Sequence, residues 1–225
     1  MTEMKKKITE YKAVVFDLDG TLYYQRILRI KMAWILGSYY LCHFWRITEL
    51  FVVKKFREVR EKWVDQDKDG TFLEEKQYRY VADIMGLTYE QVKRTVETWI
   101  YDKPLKAVSE TADRELLRII GRLRDGGQKV FVFSDYPIED KLKALGLTVD
   151  GMYAATDERL NELKPSPKGL YLIMEDHGLL AADILMTGDR MSRDGLAAIN
   201  AGCDYIILPG SKRSRKKLYE TMFVI

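Results

Sequence analysis

Cysteine and histidine are scarce in this sequence, with two of each among 225 residues. Cys42 and Cys203 lie far apart in apolar contexts, so no disulfide framework is predicted and a reducing compartment is expected. The lack of a cysteine and histidine cluster argues against a zinc site. Residues 1–7 contain no apolar signal region, so we predict a cytoplasmic protein rather than a secreted one.

Long apolar runs and a strong charge of one sign are also missing. Residues 32–45 include fourteen positions without Lys, Arg, Asp or Glu, whereas a spanning helix needs roughly 20 apolar residues. The net charge of +3 is too small to indicate a nucleic-acid partner. The basic run over 212–217 is accordingly interpreted as a solvated tail or helix face.

One region does carry excess positive charge. Residues 23–62 contain nine basic and three acidic side chains, a net charge of +6, together with several aromatic residues. A basic helix that bears aromatic side chains can lie on an anionic membrane surface. We favour a buried helix with a solvated basic face, and peripheral membrane contact remains the alternative.

The most informative stretch begins with the apolar residues 13–16, which predict a buried parallel strand. Asp17, Asp19, Gly20 and Thr21 follow it, at the end of the strand where α/β proteins bind ligands. Two carboxylates held this close repel each other unless a cation or a proton lies between them. A hard divalent cation with oxygen ligands, Mg²⁺, is the simplest partner.

The order of elements predicts an α/β fold with a Rossmann-like parallel sheet. Helical patterns alone occupy the region after the first strand, over 26–46, 48–63, 73–85 and 89–100. Gly86 is the expected C-cap of the third helix, and Thr88 with Gln91 forms a capping box for the fourth. Strands and helices then alternate. We predict a catalytic core over 1–22 and 108–225, and an all-helical cap over 23–107 inserted after the first core strand.

The later strands are also followed by polar residues. Ser134 follows the predicted strand over 129–133, and Lys164 lies in a stiff Lys-Pro-Ser-Pro segment. Asp189 and Asp194 follow the predicted strand over 184–187. Taken with the Asp-x-Asp-Gly-Thr stretch at 17–21, this order of motifs resembles the haloacid dehalogenase-like hydrolase superfamily, in particular its phosphoglycolate phosphatase-like members with a helical cap.

The resemblance implies a role for each motif. Asp17 would attack phosphorus and form an aspartyl phosphate, and Asp19 would give and then take the proton. Thr21, Ser134 and Lys164 would bind the phosphoryl oxygens, and the Thr21 side chain would also help to position Asp19. The Mg²⁺ ligands would be Asp17, Asp19 and Asp189, and Asp194 would support them.

These roles predict a Mg²⁺-dependent phosphatase that acts on a small phosphorylated substrate, including amphiphilic ones. Dehalogenases of the same superfamily lack the second aspartate. Because Asp19 is present here, we favour a phosphatase over a dehalogenase. A phosphomutase remains an alternative because it uses the same aspartates. A non-catalytic or membrane-associated binding module is the alternative from another class.

One further acidic segment resembles half of a calcium-binding loop. Asp65, Asp67 and Asp69 have the spacing of the first ligands, but Lys76 replaces the bidentate glutamate at the twelfth position. We therefore predict a polar turn rather than a calcium site.

Overall fold

A computed structural model describes residues 2–62 and 72–222. The predicted polar turn over 65–70, and the predicted end of the second helix at Trp63, lie outside the described residues.

The described residues form a six-stranded sheet in the order β1-β6-β5-β2-β3-β4. Its strands are β1 (Thr2–Glu3), β2 (Ala13–Phe16), β3 (Lys129–Ser134), β4 (Gly151–Ala154), β5 (Ile184–Gly188) and β6 (Asp204–Ile207). The last five run parallel, and β1 pairs antiparallel with β6 at the edge. The predicted parallel sheet is therefore confirmed.

Strand β2 lies at the centre of the sheet, and all four of its side chains are buried. It is covered on both faces, which explains its continuous apolar sequence. Phe16, its last residue, pairs with Val132 of β3 and Thr187 of β5. The carboxyl ends of these three strands therefore meet at one edge.

Helices cover the sheet and form the insertion. Their bounds are α1 (Gln25–Cys42), α2 (Thr48–Lys62), α3 (Leu73–Met85), α4 (Tyr89–Val96), α5 (Leu105–Glu110), α6 (Arg114–Asp125), α7 (Glu139–Leu145), α8 (Lys168–His177), α9 (Leu196–Ala201) and α10 (Lys212–Met222). Wider π-helical turns span Glu97–Asp102 and Met191–Gly195. Helices α1 to α5 lie between β2 and β3, so the helical insertion is confirmed.

Local signals predicted the helix ends well. Gly86 ends α3 with a φ of 64°, and Thr88 and Gln91 exchange both hydrogen bonds of a capping box. The first predicted helix stops at Cys42 instead of residue 46, and a separate turn, Phe44–Arg46, follows it. The sequence did not predict β1 or α5, because two and six residues are too few for a clear hydrophobic period.

The insertion has its own apolar cluster, which includes Phe56, Val81, Val92 and Trp99. The start of the insertion packs against the catalytic core instead, because Leu28 belongs to a cluster that also contains core residues such as Val14. Nothing in the described packing tests the exact domain limits, so 1–22 with 108–225 and 23–107 stay a prediction. Among the described helices, none has the length and apolar character needed to cross a membrane.

Helix α2 offers a matched test of packing in the insertion. Phe56 is fully buried and stacks on Tyr78, whereas Phe51 on the same helix is 59% exposed. We expect Phe56→Ala to lower the free energy of unfolding by about 3–5 kcal/mol, because it leaves a cavity. Phe51→Ala should cause little change. Urea denaturation measures both, and equal losses would contradict the packing described.

Candidate active site

The site lies where the carboxyl ends of β2, β3 and β5 meet. Asp17 directly follows β2, and its backbone N–H donates to the carbonyl of Thr187 in β5 at 2.8 Å. Ser134 ends β3, and Asp189 follows β5. Parallel register alone therefore brings these three sequence-distant residues to one edge of the sheet.

Lys164 provides the central positive charge. Its Nζ donates to Asp17 Oδ1 at 2.5 Å, to Asp194 Oδ1 at 2.6 Å and to the carbonyl of Phe133 at 3.2 Å. The side chain is buried, which by itself lowers the pKa of Lys164, but Asp17 and Asp194 outweigh this effect and hold that pKa above its ordinary value. The ammonium therefore stays charged at neutral pH.

A third carboxylate, that of Asp189, lies close to the two that Lys164 contacts. Oxygens of Asp17, Asp189 and Asp194 lie within 4.8 Å of one another, and this is a metal-compatible acidic group among the described residues. Asp189 Oδ1 is buried and accepts no hydrogen bond from the part of the chain that the structure describes. Burial and the Asp194 charge raise the pKa of Asp189 to about 6, and the same two causes raise the pKa of Asp17. The cluster holds more negative charge than Lys164 neutralises.

The backbone is shaped to bring these carboxylates together. Gly20 has a φ of +99°, and an added Cβ there would overlap the Asp189 carboxylate. At Gly188 a Cβ would overlap Asp194. Asp194 Oδ2 accepts the backbone N–H groups of Asp189 at 3.1 Å and Arg190 at 2.9 Å. Asp194 therefore holds the backbone of the segment that carries Asp189, and its role in supporting a metal stays a prediction.

Asp19 does not join this cluster. Its Oδ1 accepts hydrogen bonds from Lys141 Nζ at 2.6 Å and from the Tyr23 hydroxyl. Burial alone would raise the pKa of Asp19, but the charge and hydrogen bond of Lys141 outweigh it, so the pKa lies below its ordinary value. Lys141 and Tyr23 hold Asp19 Oδ1 outside the group of Asp17, Asp189 and Asp194, and its role as a metal ligand stays a prediction. Asp19 Oδ2 is buried and accepts no hydrogen bond from the described residues.

Two hydroxyls were predicted to bind the phosphoryl oxygens, those of Thr21 and Ser134. Thr21 Oγ1 donates to Asp17 Oδ2 at 2.9 Å, so it holds the first aspartate and not the second. Ser134 is fully buried, and its Oγ accepts the backbone N–H of Tyr136 at 3.1 Å. Thr21 lies in the loop after β2, and Ser134 is the last residue of β3, so both lie at the carboxyl edge of the sheet.

A model of the haloacid dehalogenase-like hydrolase family matches residues 11–202. The chain belongs to this family. The match includes the strand-end aspartates, Ser134, Lys164 and the segment around Asp194. The resemblance that the motifs carried is therefore confirmed.

Solved structures give the same fold. A 2-haloacid dehalogenase from Pseudomonas syringae is 18% identical with a TM-score of 0.60, covering 88% of this chain and 86% of its own. A predicted phosphoglycolate phosphatase from Haemophilus somnus is 20% identical with a TM-score of 0.55, covering 89% and 86%. YfnB from Bacillus subtilis, bound to magnesium, is 13% identical with a TM-score of 0.63, covering 97% and 100%. Comparison with curated proteins gives no match.

Sequence reasoning missed Lys141 in this hydrolase. Lys141 belongs to α7 and is buried, with its Nζ 5.3 Å from the centre of the Tyr136 ring and bonded to Asp19. A lysine on a short helix gives no sign of burial in the sequence, because most lysines are solvated. Only the tertiary structure, which places α7 beside the loop of the first motif, shows its partner.

The insertion also contacts the site loops of the hydrolase core. Arg60 of α2 is buried and donates to the carbonyl of Asp135 at 2.9 Å. Glu61 accepts hydrogen bonds from Arg190 at 2.8 and 3.0 Å, and its carbonyl accepts one from Arg193 at 2.8 Å. The end of α2 is therefore fixed to the loops after β3 and β5, next to the acidic cluster.

Arg215 is the second residue that the sequence did not single out. It belongs to the basic run that we interpreted as solvated, yet it is only 1% exposed. Its guanidinium donates to the carbonyls of Thr21, at 2.7 Å, and Gly20, and to Asp113 Oδ2 at 3.1 Å. The interpretation was wrong for this one side chain, because α10 turns it toward the loop of the first motif.

Replacing Arg215 should therefore destabilise the hydrolase. Arg215→Ala removes one partner of a buried ion pair and leaves Asp113 uncompensated, so we expect a loss of about 3–5 kcal/mol in the free energy of unfolding. Arg213, which is exposed on the same helix, is the matched control, and Arg213→Ala should have little effect. Chemical denaturation compares them, and similar midpoints would contradict the role of Arg215.

Proposed function

We propose that this hydrolase is a Mg²⁺-dependent phosphatase that cleaves a small phosphate monoester through an aspartyl phosphate on Asp17. The observation that carries the proposal is the charge imbalance around Asp17. Asp17 and Asp194, which are buried, and the partly buried Asp189 lie together with one ammonium. A divalent cation would balance their charge and would then attract a phosphoryl dianion. Displacement of a halide from a haloacid would not need such a cation.

The donor set fits the metal. Asp17 and Asp189 would hold Mg²⁺, with Asp194 behind them, because hard carboxylate oxygens are its preferred ligands. The unpartnered Asp189 Oδ1 is a ready ligand atom. When bound, Mg²⁺ supplies positive charge to the phosphoryl oxygens.

Each residue of the site has its own role in the proposed reaction. Asp17, oriented by Thr21 and Lys164, attacks phosphorus with one carboxylate oxygen, and the P–O bond to the leaving group breaks. Asp19 gives the leaving oxygen its proton and later takes one from the water that hydrolyses the aspartyl phosphate. Lys164 stays charged throughout and balances negative charge on the transferred group.

Before substrate binds, Asp19 is held in its ionised form and has no proton to give. Lys141 and Tyr23 stabilise its ionised form in this structure. A phosphorylated substrate brings further negative charge, with which Lys141 can pair instead. Asp19 would then regain a higher pKa and could hold the proton that the leaving oxygen needs.

The phosphomutase alternative uses the same first step and differs in the fate of the phosphoryl group. A mutase returns it to the substrate, whereas a phosphatase releases inorganic phosphate. The structure offers no observation that favours the mutase.

Activity depends on the Asp17 nucleophile in this proposal. We expect Asp17→Asn to lower hydrolysis of a generic aryl phosphate by roughly a thousandfold or more, since the amide cannot form the covalent intermediate. Asp125→Asn, at an exposed position, is the control and should keep full activity. Released phosphate is measured with Mg²⁺ and with a chelator, and circular dichroism checks the fold.

Three results would count against the proposal. Phosphate release that is unchanged in Asp17→Asn would eliminate the nucleophile. Turnover of a 2-haloacid without the metal, in the absence of phosphatase activity, would indicate a dehalogenase. Conversion of a sugar phosphate to its isomer without phosphate release would indicate a mutase.

Metal removal should also change stability in a pH-dependent way. Because the pKa of Asp189 is raised from 3.8 to about 6, the folded protein keeps a proton that the unfolded chain loses between these values. Without a cation, stability contributed by this group is therefore present at low pH and lost as pH rises toward 6. Mg²⁺ should raise the melting temperature strongly above about pH 7 and very little near about pH 4.

Thermal unfolding in EDTA and in Mg²⁺ across this pH range measures the effect. Asp189→Asn is the matched variant, and it should lose most of the stabilisation by Mg²⁺ at neutral pH. An equal Mg²⁺ effect at all pH values would contradict the assignment of the acidic cluster as the metal site.

A further inference from the structure

Helix α1 has two apolar faces, and only one of them is packed. Leu28, Met32 and Tyr40 are buried within the protein. The opposite face carries Ile27, Ile30, Trp34 and Leu41, which are exposed in the described structure. Their spacing of three, four and seven residues places them along a single stripe of the helix.

The exposed stripe continues beyond the end of α1. Phe44 and Trp45 form the turn that follows, with their rings in edge-to-face contact at 5.3 Å. Trp34 is 78% exposed, Leu41 84%, Phe44 72% and Trp45 65%. We call these six residues the apolar stripe: Ile27, Ile30, Trp34, Leu41, Phe44 and Trp45. Large apolar side chains in a continuous group mark an interaction surface, unlike isolated exposed ones.

The insertion that carries the apolar stripe also has an excess of positive charge. Residues 23–62 have a net charge of +6. The exposed basic side chains of α1 and α2 include Arg26, Arg29, Lys54, Arg57 and Lys62. The partner of this surface must therefore offer apolar area and negative charge together.

We propose that the apolar stripe binds the surface of an anionic phospholipid bilayer, with α1 lying parallel to the membrane plane. Trp34 and Trp45 have the amphipathic rings that favour the interface between headgroups and acyl chains, and the basic side chains contact anionic headgroups. Helix α1 has 18 residues. Together with the turn that follows, it would bind in the plane of the membrane without crossing it.

A second copy of the chain fits the surface less well. In a two-fold dimer the same patch meets itself, so the excess positive charge of one copy would face that of the other. Like charges brought together oppose association, whereas an anionic bilayer neutralises them. Charge complementarity therefore favours an anionic bilayer over a second copy of the chain as the partner of the apolar stripe.

Vesicle sedimentation tests the proposal with the full chain. We expect the protein to bind vesicles of phosphatidylcholine with phosphatidylglycerol at low salt, and to bind phosphatidylcholine alone much more weakly. Added salt should weaken the binding, because it screens the headgroup charge. Failure to bind the anionic vesicles at low salt would overturn the proposal, and it would leave the phosphatase proposal untouched because the assay involves no turnover.

A double variant isolates the apolar stripe. Trp34→Ser with Leu41→Ser should weaken vesicle binding by roughly tenfold or more, because two large apolar side chains no longer enter the bilayer. Leu180→Ser is the matched control, since Leu180 is 71% exposed but lies outside the insertion. All of these side chains are exposed, so the melting temperatures should stay unchanged. Equal binding by the double variant and the control would overturn the proposal.

Tryptophan fluorescence gives an independent readout. Brominated acyl chains should quench Trp34 and Trp45, and a Trp34→Phe, Trp45→Phe variant should lose this quenching while it still binds. Quenching that persists in that variant would place another part of the protein in the membrane. Self-association that the double serine variant abolishes, without vesicle binding, would assign the surface to a second copy instead.

Discussion

The buried ammonium of Lys164 is the interaction on which the candidate site depends. It joins Asp17 after β2 to Asp194 after β5, and its own backbone N–H donates to Asp135 after β3 at 2.9 Å. One residue, through its side chain and its backbone N–H, therefore links the ends of three strands. Without it the acidic cluster would hold still more uncompensated charge, which a low-dielectric interior strongly disfavours.

Two distant parts of the chain hold the loops around this centre. The insertion reaches them through Arg60 and Glu61, and the C-terminal helix reaches the first motif through Arg215. Arg60 and Arg215 donate charged hydrogen bonds to backbone carbonyls of the loops, whereas Glu61 accepts hydrogen bonds from arginine side chains of the loop after β5. None of these contacts uses the carboxylates of the acidic cluster.

Most of the fold was predictable because its signals are local. The apolar residues 13–16, the glycine after α3 and the capping box at Thr88 each depend on a few neighbouring residues, and the structure has them as expected. The edge strand Thr2–Glu3 was not predictable, since its only signal is its pairing with β6. Asp19 and Thr21 were correctly placed near the site, but their partners, Lys141 and Asp17, depend on how loops and helices pack.

The sequence by itself determined the order of the motifs, the parallel core and the helical insertion, because apolar periodicity and strand-end residues act over short distances. Only the tertiary structure decided that Asp19 lies apart from the other acids, that Arg215 is buried and that one face of α1 is left exposed. Each of these depends on contacts between residues far apart in the chain, and neither composition nor spacing records such contacts.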